Sequence, residues 1–206
     1  MVISKLSMPE SNNQNFNHLK IHTQYSICEG AIKIDNLKDF CKENKIPCLG
    51  ISDTSNLCGA LEFAENISKV GTQPIIGTQI FFRFEDTTGL LPLIALNEKG
   101  YKKIIELSSR SYLENDALSD PHLDIKELLT DTEGVSLLSG TIQGLFGKLF
   151  EKGRIDEISK IYKSLSSKFN DNFYLEIQRH GDQNEIAFEK FNLEQSLKIK
   201  IPIIAT

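Results

Sequence analysis

The chain has 206 residues, 40% of them hydrophobic and 25% charged, the balance of an ordinary soluble globular protein with room for one large domain. Its formal charge of −5 and its few arginines (Arg83, Arg110, Arg154 and Arg179) argue against strong direct nucleic-acid binding, which wants a basic surface rich in guanidinium forks. No apolar run reaches the roughly 20 residues that cross a bilayer, and the polar stretch 11–15 is no export signal, so the chain is expected to be cytoplasmic and free of the membrane.

Residues 1–15 read as a flexible polar lead and residues 16–206 as the folded body. Residues 18–22 form a short strand that empties into a loop over 25–30. Ile34, Leu37, Phe40 and Cys41 then recur at helical spacing, with Asp35 as a capping residue near the start and Pro47 as the stop. A strand follows at 48–51, then a helix at 59–70 with Leu61, Ala64 and Ile67 on one face. The next strands lie at 73–84 and 91–96, and a helix at 99–111. Residues 115–123 cluster Asp, Ser and Pro and read as a mobile insertion. Downstream come a strand at 135–138, helices at 145–150 and 156–166, a strand at 173–178, a helix at 183–197 and a final strand at 202–205.

Short apolar strands between helices are covered on both faces, which predicts an α/β fold with a parallel sheet or barrel of about seven βα units. Functional loops in such folds leave the C-terminal ends of the strands. A last strand ending at Thr206 without its loop suggests a piece of something longer. The cysteines Cys28, Cys41, Cys48 and Cys58 lack zinc-ribbon spacing and read as reduced, buried or half-buried thiols.

Candidate chemistry collects at the predicted strand ends. His18, Lys20 and His22 share one strand face, but residues four apart on a strand are about 13 Å apart, and an ammonium sits between the two imidazoles. Asp53 and Asn56 follow an apolar strand and can hold the next turn by side-chain to backbone bonds. Residues 139–144 form a Gly-containing loop before a helix. Glu176, Gln178 and His180 line one strand face, either as an acid/base pair or as a polar row at the sheet mouth.

These stretches together resemble a family. His18-Leu19-Lys20-Ile21-His22-Thr23-Gln24-Tyr25-Ser26 with Glu29-Gly30-Ala31 is similar to the opening of the PHP (polymerase and histidinol phosphatase) domain that begins the bacterial replicative DNA polymerase III alpha subunit. Residues 51–63, 73–79, 95–104, 138–141, 174–181 and 201–206 agree in the same order. The resemblance implies a distorted (β/α)7 PHP-type barrel. Metal-bearing members place His, Asp, Glu and Cys at the barrel mouth, where they hold up to three ions. Carried onto this chain, the ligand positions fall on Lys20, His22, Glu29, Thr54, Gln79, Leu90 and Thr141, of which only His22 is identical, and Lys20 is expected to ion-pair with Glu29. Asp53, Glu176 and His180 remain as polar groups at the mouth.

So few anionic or imidazole ligands do not offset several ions. The resemblance thus implies a metal-free interaction module with no catalytic residue or cofactor of its own. Its partners would be the rest of the polymerase, which carries the nucleotidyltransferase activity and its magnesium, and the proofreading exonuclease subunit. The alternative is a stand-alone metal-dependent phosphoesterase of the same superfamily.

Overall fold

Twelve of the thirteen helices and strands correspond to segments read from the sequence pattern, and their arrangement is seen in a computed structural model that describes residues 16–116 and 118–206. The lead expected over 1–15 lies outside them. In chain order the elements are α1 (Ile34–Asn44), β1 (Cys48–Thr54), α2 (Ala60–Ser68), β2 (Gln73–Phe84), β3 (Thr87–Ala95), α3 (Glu98–Leu113), β4 (Leu123–Asp124), β5 (Val135–Leu138), α4 (Leu145–Glu151), α5 (Ile155–Phe169), β6 (Phe173–Ile177), α6 (Glu185–Ile199) and β7 (Ile203–Ala205). Short 3-10 turns occupy Ile125–Leu129 and Asn170–Asn172.

The seven strands form one sheet in the order β1-β2-β3-β5-β6-β7, with β4 pairing beside β2. It curls into a distorted half-barrel with helices packed against it. β1 runs parallel to β2, β5 to β6 and β6 to β7, whereas β3 is antiparallel to both β2 and β5. The expected parallel strand order of the sheet or barrel is therefore corrected at β3. The cause is local: Phe84 pairs with Thr87 across a turn of Glu85 and Asp86, with Glu85 at φ 52. Such a turn is too short for the crossover that parallel neighbours require.

Two apolar cores flank the sheet. The larger gathers Phe82, Leu91, Leu137, Phe146, Tyr162, Phe173 and Leu175 between β2, β3, β5, β6 and the later helices. Phe146 meets the Tyr162 ring edge-on at 4.8 Å, and the Tyr162 hydroxyl donates to Asn192 Oδ1 at 3.1 Å. The smaller packs Ile34, Leu37 and Cys41 of α1 with Phe63 and Ile67 of α2 against Leu49 and Ile51 of β1.

Several local expectations change. The buried face of α2 is Ala60, Phe63 and Ile67, while Leu61 is 71% exposed. Asp35 lies in the first turn of α1, and Lys33 before it makes no side-chain cap. The region read as an insertion contributes β4, which pairs Leu123 with Phe82. Of the four thiols, Cys41 is buried and Cys48 half-buried, but Cys28 and Cys58 are exposed.

Candidate functional site

Residues 18–23 approach β1 as a parallel neighbour with a single bridge, Ile21 to Ile51, rather than as a full strand. Ile21 N donates to Gly50 O at 3.2 Å, Gly50 N to His18 O at 2.7 Å and Ser52 N to Ile21 O at 2.9 Å. Period-two alternation then directs Lys20 and His22 to the mouth of the half-barrel. After Thr23 the chain turns over itself, with Ser26 N donating to Thr23 O and Gly30 N to Ser26 O, each at 2.9 Å. A Cβ on Gly30 would stand 1.9 Å from Thr23 O, so only glycine fits there.

Asp53, at the end of β1 and 1% exposed, fastens this loop. It accepts from Thr23 N at 2.6 Å, Thr23 Oγ1 at 2.7 Å and Ser26 Oγ at 2.6 Å. Asn56 holds the following turn as the sequence suggests, accepting from Cys58 N and donating to Thr54 O. Thr54 reaches forward to donate to Glu29 Oε2 at 2.5 Å.

His22 lies at the centre of the mouth. The Gln79 amide donates to its Nε2 at 2.8 Å, which leaves the ring proton on Nδ1, near Ser26 Oγ at 3.3 Å and Glu29 Oε2 at 3.6 Å. Burial lowers the His22 pKa below the ordinary 6.5, with the Lys20 ammonium adding to that effect and Glu29 opposing it. Neutral imidazole is therefore the native form at neutral pH.

Lys20 does not pair with Glu29. Its ammonium donates to Glu176 Oε1 of β6 at 2.7 Å, and Thr206 Oγ1 donates to the same oxygen at 2.5 Å. The expected partner Glu29 is taken by Thr54 and His22 instead. Glu176 and His180 share no hydrogen bond among the described residues. His180 is exposed, and its backbone N–H donates to the carboxyl group of Glu185 at 2.9 and 3.0 Å. Gly181 N adds a second donor at 2.8 Å, and the His180 N–H is the largest of the causes that lower the Glu185 pKa.

Around these groups opens a cleft of about 600 Å³ lined by Lys20, His22, Glu29, Gln79, Leu90, Thr141 and His180. Seven predicted positions thus meet at one mouth. Thr54 stands behind Glu29, Asp53 lies beneath the loop, and Glu176 sits below the floor as the partner of Lys20. Sequence reading gave no individual role to Thr23, Ser26, Glu185, Gln143 and Lys148; Thr23 and Ser26 lie in the stretch 18–26 that carries the resemblance and Gln143 in the loop 139–144, while only nearness to strand ends could have marked the others. Among the described residues, no group of three or more His, Cys, Asp or Glu is placed to hold a metal ion.

Comparison with known proteins bears on this geometry. A family model described as PHP domain matches residues 18–180. The chain is 35% identical to the DNA polymerase III subunit alpha of Caulobacter vibrioides, over 97% of this chain and 18% of that protein. It is 31% identical to the corresponding subunit of Vibrio cholerae, over 93% of this chain and 17% of that one. The chain therefore spans less than a fifth of the length of these curated relatives. A solved structure assigned as a metal-dependent phosphoesterase, from Bifidobacterium adolescentis, superposes with a TM-score of 0.51 at 12% identity, covering 92% of this chain and 86% of that one. That likeness concerns the fold.

Proposed function

We infer, from the premise that the chain belongs to the PHP domain family, that it works as the PHP part of a cytoplasmic DNA polymerase III alpha subunit, as a metal-free interaction module. Its homology to that subunit in several bacteria ties it to DNA replication. Nucleotidyl transfer and the magnesium it uses then belong to the remainder of the polymerase. The module's own task is to dock the proofreading exonuclease subunit.

The donor chemistry of the mouth carries this reading. A multinuclear metal centre needs several anionic or imidazole ligands to replace the ions' water and offset their charge. Here the positions that match the family's ligands present the Lys20 ammonium, the Gln79 amide, the Thr141 hydroxyl and the Leu90 side chain beside the His22 imidazole and the Glu29 carboxylate, while His18, His180, Asp182 and Glu185 also line the cleft without forming, among the described residues, a group placed to hold a metal ion. The Gln79 amide already occupies Nε2 of that imidazole. This donor set does not fit the metals of the family, so no hydrolytic step is assigned to it.

Elemental analysis of the purified protein tests the metal-free part. The expected result is no stoichiometric zinc, manganese or iron, and no hydrolysis of phosphoesters or DNA ends above background. Two or three metals per chain, with a chelator-sensitive nuclease lost in His22→Ala, would replace this reading with the phosphoesterase. Docking is tested by a pull-down with the cognate exonuclease subunit, which should be retained; recovery of none of it removes the docking role.

A further inference from the structure

Two edges of the curled sheet face one another without a ladder between them. On one side, residues 18–22 bond to β1. On the other, β7 bonds to β6. Among the described residues no backbone hydrogen bond joins 18–22 to β7. A cleft of about 450 Å³ opens between these edges, bordered by Phe16, Leu19, Cys48, Ile75, Ile204 and Ala205.

Side chains cross where the backbone does not. We propose that the Lys20–Glu176 ion pair is the clasp that closes this seam, holding the first strand-like segment of the sheet to its last two strands. The Lys20 side chain is 7% exposed and that of Glu176 0%, so the pair is inside the fold rather than on its surface. Glu176 Oε1 also accepts from Thr206 Oγ1, while Thr206 N donates to Ile177 O at 3.3 Å. One oxygen thus gathers donors from both sides of the gap.

Glu176 Oε2 is buried and has no partner among the described residues. Among the described residues no other cation pairs with this carboxylate once the ammonium is gone. A buried ion pair adds little stability over well-packed apolar residues, but removing one partner leaves an uncompensated charge. What the pair contributes is a fixed distance between two edges that no ladder joins.

The test compares thermal midpoints and amide exchange in the intact protein and in Lys20→Met, Lys20→Arg and the double variant Lys20→Met/Glu176→Leu. Lys20→Met should lower the midpoint by about 10 °C. It should also speed exchange at residues 19–22 and 203–205 by roughly tenfold, leaving Ile80, Phe82, Leu91 and Leu93 unchanged. Lys20→Arg should keep the seam protected. The double variant should regain the midpoint and still exchange rapidly at the seam. Lys99→Met, which breaks the exposed pair with Glu133, should change neither. Unaltered seam exchange in Lys20→Met, or acceleration spread evenly over the sheet, would overturn the clasp. If Lys20→Met does not fold, wild-type seam protection in the double variant overturns it equally.

Discussion

Asp53 shows how one buried side chain organises a loop 30 residues away in sequence. Three donors converge on its two oxygens, and each would be left unsatisfied by truncation. Asp53→Ala should therefore cost about 3 kcal/mol, measured as a drop in chemical-denaturation midpoint with unchanged slope. His22 leads to a pH dependence. Burial lowers its native pKa below 6.5, so between that lowered value and 6.5 the unfolded chain binds more protons than the native one. Stability should then rise with pH up to about 6.5 and fall as pH drops below it. His22→Asn should flatten this slope just below pH 6.5 in denaturation midpoints. The faces of these residues were legible, because alternation along a strand puts Lys20 and His22 on one side. Their partners were not. Glu176 lies 156 positions from Lys20, and no local pattern distinguishes it from the nearer Glu29.

Elements were read well where apolar periodicity was strong and poorly where the turn decided. β2 and β3 were both found, yet their direction depended on the two residues Glu85 and Asp86, which permit a hairpin and forbid a crossover. β4 was lost because two residues carry no periodicity, and its pairing with β2 is a tertiary outcome. In α2 the choice between the Leu61 face and the Phe63 face was made by α1 and β1, against which Phe63 packs. β7 shows the same limit. Ile201 is 2% exposed as its apolarity suggests, but Ile203 stands 41% exposed, since the strand has a neighbour on one edge among the described residues. At this scale Gly30 offers the sharpest test. The turn that follows the first segment brings its Cα against Thr23 O, and a Cβ would meet that oxygen at 1.9 Å. Gly30→Ala must displace the backbone of the loop, so a loss of roughly 2–3 kcal/mol is expected. Calorimetry checks the stability, and faster exchange of the Ser26 and Glu29 amides would locate the damage.

For the whole molecule, the sheet brings together residues from nearly the full length of the chain, and the mouth is where they meet. The barrel-like curl followed from counting strands and helices, and it agrees with the fold of the Bifidobacterium adolescentis structure. The composition of the mouth followed from resemblance rather than from physics, because a lysine among imidazoles reads as an ordinary polar row until its partner is seen. No helix among the described residues is long and apolar enough to cross a membrane, as the hydropathy of the sequence implies. The two cores divide the labour unequally. The smaller supports β1 and its loop, and the larger supports β6, which carries Glu176, and β5, whose following loop carries Thr141.

The separation of Lys20 from Glu176 also sets a timetable for synthesis. The β2–β3 hairpin joins strands two residues apart and can zip up within microseconds of leaving the ribosome. Lys20 must wait for 156 further residues before its carboxylate exists, which at bacterial elongation speeds is about 8–30 s. If the pair is the clasp proposed above, the nascent barrel stays open along that side at least until Glu176 has been made.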